Sequence, residues 1–261
     1  MNAPIAVPTN ARPKTLHGCG ACRDGSGFAV AFTMAFQPIV DVISRTVWAY
    51  EALVRGAAGE GAQTVLDQVG GEAIYAFDQS CRIKAVELAG RLFPPGEATR
   101  LSINFLPNAV YEPSACIRAT LAAAQRVGFN HRRLMFEFTE NERMLDVAHV
   151  KRIIAAYRDF GFVTALDDFG AGFAGLALLA ELQPDVIKLD MALIRGVEAS
   201  APRRAIVAAM VAMTRALAIT LIAEGVETEA EVEALRGLGV TLMQGYRFAR
   251  PGFERLPGIT G

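Results

Sequence analysis

The sequence predicts an α/β fold, a TIM-like (β/α)8 barrel with an antiparallel first strand. Three observations carry this reading. Apolar runs that read as strands alternate with helical patterns, as they do where β-α units surround one sheet. The chain has 261 residues, close to the roughly 250 of a single such barrel. Nearly every strand-like run ends in an acid, an amide or a lysine, which is how a barrel equips the mouth formed by its strand C-termini.

Taken in order, residues 1–27 are rich in Pro, Ala and Gly, lack periodicity and read as a flexible arm. The fold proper, 28–261, begins at Phe28. Strands are expected at 31–42 and 46–54, joined by a link too short for the crossover helix that a parallel pair needs, so this pair is antiparallel. Six more strands are expected at 99–105, 133–138, 162–167, 185–189, 219–224 and 240–243. Helices are expected at 72–91, 113–127, 146–159, 173–182, 202–217 and 228–237. Gly128, Gly161 and Gly239 fall where helix C-caps precede the next strand.

Composition narrows the chemistry. Hydrophobic residues make up 52% of the chain, ample for a buried core, and the net charge is -1. No basic field draws a nucleic-acid duplex or an anionic membrane, whereas a small phosphate ligand bridged by metal remains compatible. The most apolar stretch, 205–223, carries Thr214, Arg215 and Thr220 and reads as a buried helix feeding a strand, with no membrane span. No apolar run follows the first charges, so a cytoplasmic location is expected. Of four cysteines, Cys19 and Cys22 form a C-x-x-C pair after His17. A closed zinc site wants four ligands and no second pair follows, so this is a mobile dithiol or a redox or metal group of its own. Cys81 and Cys116 fall in helical patterns and read as inert core residues.

The strand ends hold the chemistry. Glu51, Asn104, Glu137, Asp167, Asp168 and Glu224 close successive apolar runs. Carboxylates converging at one mouth repel unless a cation holds them. An all-oxygen set suits Mg²⁺ or Mn²⁺, and the number of acids suggests two ions. Two ions about 3.5–4 Å apart can activate water and stabilise the leaving oxygen of an in-line displacement, the chemistry of phosphodiester hydrolysis. Any one of these acids alone is more often a helix N-cap or a surface charge, and it is their recurrence at six strand ends that points to a shared site. The three histidines (His17, His131, His149) lie off the strand ends. Lys188 ends another strand and can neutralise a phosphate oxygen or orient water. An ion pair with Asp190 is the alternative, and the two are compatible. The glycine-rich turn after Asp168 permits close approach of a ligand or a second subunit. Arg55 shares a strand face with Glu51 and can hold a phosphate or form a rim salt bridge. Gln37 faces either the lumen or solvent.

Several segments resemble the EAL-domain family of bacterial cyclic di-GMP phosphodiesterases. They are Phe36-Gln37-Pro38-Ile39-Val40-Asp41, Tyr50-Glu51-Ala52-Leu53-Val54-Arg55, Glu137-Phe138-Thr139-Glu140, Ala165-Leu166-Asp167-Asp168-Phe169-Gly170, Ile187-Lys188-Leu189-Asp190, Ala223-Glu224-Gly225-Val226-Glu227-Thr228 and Gln244-Gly245-Tyr246. They occur in the family's order between Met34 and Pro251. The resemblance implies hydrolysis of cyclic di-GMP to linear pGpG with Mg²⁺ or Mn²⁺. Within it, Glu51, Asn104, Glu137, Asp167, Asp168 and Glu224 match metal ligands. Lys188 matches the residue that positions the attacking water. Glu140 matches the acid bracing the loop after Asp168, with Asp190 as further loop support. Glu227 and Gln244 match other active-site positions, and Gln37, Leu53 and Arg55 match contacts to the dinucleotide. The resemblance also implies a homodimer. Gly56, Ala171, Phe173, Ala174 and Gly175 depart from the commoner residues, which bears on loop tuning and dimer coupling. The stretch from Tyr75 to Cys81 resembles a branch often joined to light-sensing flavin domains, so a stand-alone form or a signal from an upstream partner is implied. A non-catalytic receptor or protein-interaction module is the alternative function.

Overall fold

The computed structural model describes residues 30–71, 73–139, 146–172 and 175–259. The arm expected over 1–27, with Cys19 and Cys22, and the loop acid Glu140 lie outside the described residues. Among the described residues, nine strands form one sheet in the order β2-β3-β4-β5-β6-β7-β8-β1-β9, and β1 also pairs with β2, which closes eight of them into a barrel. The strands are β1 (Phe32–Asp41), β2 (Thr46–Gly56), β3 (Arg100–Asn104), β4 (Leu134–Thr139), β5 (Val163–Phe169), β6 (Val186–Leu189), β7 (Thr220–Ala223), β8 (Leu242–Gln244) and β9 (Gly252–Phe253). β1 runs antiparallel to both β2 and β8, while β2 through β8 are parallel, as the short 41–45 link requires.

Helices α1 (Ala62–Leu66), α2 (Ile74–Leu92), α3 (Pro113–Cys116), α4 (Arg118–Val127), α5 (Val147–Asp159), α6 (Gly175–Leu182), α7 (Met191–Ile194), α8 (Ala201–Ala216) and α9 (Glu229–Leu238) lie between the strands. The helix expected over 113–127 is divided at Ile117. Ile117 N still donates to Pro113 O at 3.1 Å and Leu121 N to Ile117 O at 3.0 Å, so the pieces share one hydrogen-bonded path. Gly128 and Gly239 do cap α4 and α9 in left-handed conformations, and Asp146, Ser200 and Thr228 cap the N-termini of α5, α8 and α9.

Two apolar layers result. The larger fills the space between barrel and helices and includes edge-to-face contacts of Phe105 with Phe136 and Phe138, and of Phe136 with Phe162. The smaller lies inside the barrel: Ile39, Ala49, Met135, Ala165, Val186, Ile222 and Leu242, one from each of seven strands. This interior plug is the floor on which the mouth rests.

Candidate active site

The period of two along a strand sets the positions of the polar side chains, since residues two apart share a face. Glu51 stands two beyond Ala49, Glu137 beyond Met135, Asp167 beyond Ala165, Lys188 beyond Val186, Glu224 beyond Ile222 and Gln244 beyond Leu242. On the reversed β1 the order inverts, and Gln37 stands two before Ile39 and opposite Glu51. A ring of polar groups therefore sits one layer above the apolar floor.

Lys188 is at the centre of the ring. Its Nζ lies 2.6 Å from Glu224 Oε1, 2.8 Å from Glu137 Oε2, 3.1 Å from Asp167 Oδ1 and 3.5 Å from Glu51 Oε2. Glu51 accepts from Asn104 Nδ2 at 3.0 Å and from Gln244 Nε2 at 2.7 Å. Gln37 Nε2 donates to Ala249 O at 3.2 Å, and Gln37 Oε1 accepts from Gln244 at 3.5 Å. Asp190 is not among the partners of Lys188, contrary to the ion pair weighed from the sequence. Its carboxylate instead accepts from Ala192 N at 2.8 Å and caps α7. β6 ends at Leu189 and the chain turns there directly into α7, which commits the Asp190 carboxylate to Ala192 N as an N-cap.

Asp167 and Asp168 are consecutive and would face opposite sides of a regular strand. The β5–β6 pairing slips between Leu166 and Phe169, and Asp168 takes a left-handed φ of 54°, a conformation Asp tolerates better than most residues. Both acids consequently join Glu224 in one group whose oxygens lie within 4.8 Å of one another. Glu51, Glu137 and Asp167 form a second group of the same span, with Asp167 common to both.

The electrostatics follow from this crowding. Burial opposes the charge of Lys188, but Asp167, Glu137, Glu224 and Glu51 outweigh it and hold the ammonium well above its ordinary range. Burial pushes Glu137 up to about 8, with Lys188 pulling back and Glu51 and Asp167 adding to the rise. Burial, with Asp167 and Asp190 beside it, lifts Asp168 to about 6. Glu224 is raised well above the carboxylate range by burial and then by Asp167. Protein groups alone leave the acids short of positive charge.

The donor set fits divalent cations. It is wholly oxygen, as hard cations prefer. The buried Asp167 Oδ1 accepts no well-aligned hydrogen bond. Glu51, Glu137, Asp167, Asp168 and Glu224 would hold the ions, with Asn104 bonded to Glu51 at the edge.

The remaining expected residues are less central. Leu53 and Arg55 continue the Glu51 face of β2 toward the rim; Arg55 is half-buried and bonds Val54 O. Glu227 is exposed and pairs with Arg195 at 2.9 Å. Sequence reasoning missed Ser102, a buried hydroxyl that donates to Glu137 Oε1. Its spacing of two from Asn104 was the available signal.

A sequence comparison matches the EAL domain over residues 29–251. The chain belongs to the EAL domain family. It is 33% identical over 225 residues to the blue light- and temperature-regulated antirepressor BluF of Escherichia coli, covering 86% of this chain and 55% of that protein. It is 29% identical to the cyclic di-GMP phosphodiesterase NbdA of Pseudomonas aeruginosa, covering 83% of this chain and 28% of NbdA. The chain thus spans about half, or less, of the length of these relatives. Among solved structures, the cyclic di-GMP-bound form of a standalone versatile EAL protein from Vibrio cholerae O395 superposes with a TM-score of 0.85 at 50% identity, over 90% of this chain and 98% of that one. The manganese and cyclic di-GMP complex of Klebsiella pneumoniae BlrP1 gives 0.82 at 34% identity, over 88% and 58%. These EAL neighbours share the barrel, and among the described residues of this chain no helix is long and apolar enough to cross a membrane.

Proposed function

We propose that this EAL domain hydrolyses cyclic di-GMP to linear pGpG, using two divalent ions, Mg²⁺ or Mn²⁺. The observation that carries the reading is the pair of oxygen-only acid groups sharing Asp167 around the buried Lys188. The chemistry a divalent pair supplies at such a mouth is activation of water for attack on phosphorus and stabilisation of the departing oxygen.

The chain's own residues do the rest. Lys188, fixed by four carboxylates, keeps its proton and offers a cation to the attacking water or to a phosphate oxygen. Glu51, Glu137, Asp167, Asp168, Asn104 and Glu224 would hold the ions. Arg55 and Leu53, on the rim side of Glu51, would receive phosphate and base, and Gln37 and Gln244 would orient the substrate from β1 and β8. Glu227 and, from its match to the family's motif alone, Glu140 would complete the site, and Asp190 supports the loop after Asp168 through its backbone N–H to Phe169 O at 3.1 Å. The apolar floor keeps bulk water from beneath the acids. In-line attack opens one P–O bond of the ring and yields the linear dinucleotide.

The proposal extends to a barrel of 28–261 with an N-terminal arm, a homodimer and an upstream regulator. Exposed Leu176 on α6 offers apolar surface for the dimer. A second reading, a receptor or interaction module without turnover, draws on the relative named as an antirepressor. Incubation of the purified chain with cyclic di-GMP and Mg²⁺, following pGpG by chromatography, separates the two. Tight binding without pGpG would replace the phosphodiesterase by the receptor.

A further inference from the structure

α7 lies between the loops that carry two of the acids. On one side, Asp190 N bonds Phe169 O, and Leu193 packs so closely on Gly170 that a Cβ there would lie 2.5 Å from its Cδ1. On the other, Met191 packs on Gly225, where a Cβ would lie 2.4 Å from Met191 Cβ. Gly170 and Gly225 also hold left-handed φ of 98° and 66°. Gly170 follows Asp168 by two residues, and Gly225 follows Glu224 directly. α7 thereby packs against both glycine turns, the one that follows Asp168 and the one that follows Glu224.

Arg195, at the C-terminal end of α7, locks the Gly225 side. Its Nη2 donates to Gly225 O at 3.1 Å and pairs with Glu227 at 2.9 Å, while Nη1 reaches the Glu231 oxygens at 3.0 and 3.3 Å. The buried Glu231 in turn accepts from Gly196 N, Glu227 N and Thr228 N at 3.3, 2.8 and 3.1 Å. One guanidinium and one carboxylate thus tie the turn after β6 to the whole loop after β7.

We propose that Arg195, acting through Gly225 and Glu231, is a positioning residue for Glu224, and that it governs the cation held by Asp167, Asp168 and Glu224 but not the one held by Glu51, Glu137 and Asp167. This rests on the metal-dependent reading above. Loss of partners that orient a ligand typically weakens metal affinity about 10–100-fold.

The test is titration of the full chain with Mn²⁺, read by calorimetry and by the electron spin resonance of free Mn²⁺. The parent should bind two ions. Arg195→Ala should weaken one of them about tenfold or more, leave the other at parental affinity, and lower kcat with KM little changed. Arg195→Lys, which keeps the charge but lacks the planar fork of the guanidinium, should recover part of the loss. Should Arg195→Ala fail to fold, Glu231→Gln carries the same expectation. Two ions bound by the variants as tightly as by the parent, or both weakened alike, would overturn the inference. A parent that binds no Mn²⁺ would instead defeat the metal-dependent reading on which it rests.

Discussion

The ammonium of Lys188 lies 2.8 Å from the carboxylate of Glu137, and neither side chain touches solvent. Glu137 also takes the Ser102 hydroxyl, so each of its two oxygens has its own donor. A buried charge of this kind is costly to leave unpaired.

Lys188→Met keeps the length of the side chain and removes its charge. In chelator it should lower stability by about 3–5 kcal/mol, the usual cost of breaking a buried pair, and saturating Mn²⁺ should restore much of it. Turnover should fall by more than substrate affinity. Denaturant unfolding with and without the ion, together with steady-state kinetics, provides the measurement; an unchanged kcat would reduce Lys188 to a structural ion pair.

Glu51→Ala and Glu224→Ala each remove an oxygen from the cation groups without touching the apolar floor. Each should cut pGpG formation by about a hundredfold or more, the scale of losing one preorganised electrostatic contact. Circular dichroism should report an intact fold. A variant with near-parental rates would take its residue out of the site.

Acidity offers a third test. Asp168 and Glu137 are raised to about 6 and about 8 by burial and neighbouring charge, so the folded, metal-free chain binds more protons than the unfolded one at neutral pH. Their contribution to stability is greatest below the ordinary carboxylate range and falls as pH climbs through about 6 and then about 8. Calorimetric melts in chelator at pH 5.5, 7 and 8.5 should show a declining Tm, and Mn²⁺ should flatten the decline because it binds the deprotonated ligands. A chelated Tm that climbs over that range would mean the acids are ionised and satisfied by protein groups alone.

Ser102→Ala deletes the hydroxyl that orients Glu137. Mn²⁺ affinity should fall about tenfold, as is common for groups that hold a ligand in place. Calorimetric titration decides, and parental affinity would make Ser102 a packing residue.

Much of this was legible in the sequence because the lumen repeats with a period of two. Each strand-end acid advertised its direction once the apolar residue two positions earlier was recognised as core, and the short 41–45 link disclosed the reversed first strand. Ser102 escaped notice because a serine within a strand serves equally on either face. The slip that brings Asp168 beside Asp167 was hidden, since alternation alone would have sent one of them outward. β9 is only Gly252–Phe253, too short for any periodicity. The Arg195–Glu231 tie was half visible: Thr228 and Glu231 have the spacing of a capping box, which they form, but no local pattern tells that Glu231 also clasps an arginine from the preceding turn.

The reversal of β1 has an outcome for how the domain can be wired. Phe32 pairs with Gly56, at the end of β2 that opens onto the mouth, so the polypeptide enters the barrel beside the acid-lined opening and not beneath it. A load placed on the chain at residue 30 would therefore act at the lip of the cavity, without passing through the barrel wall.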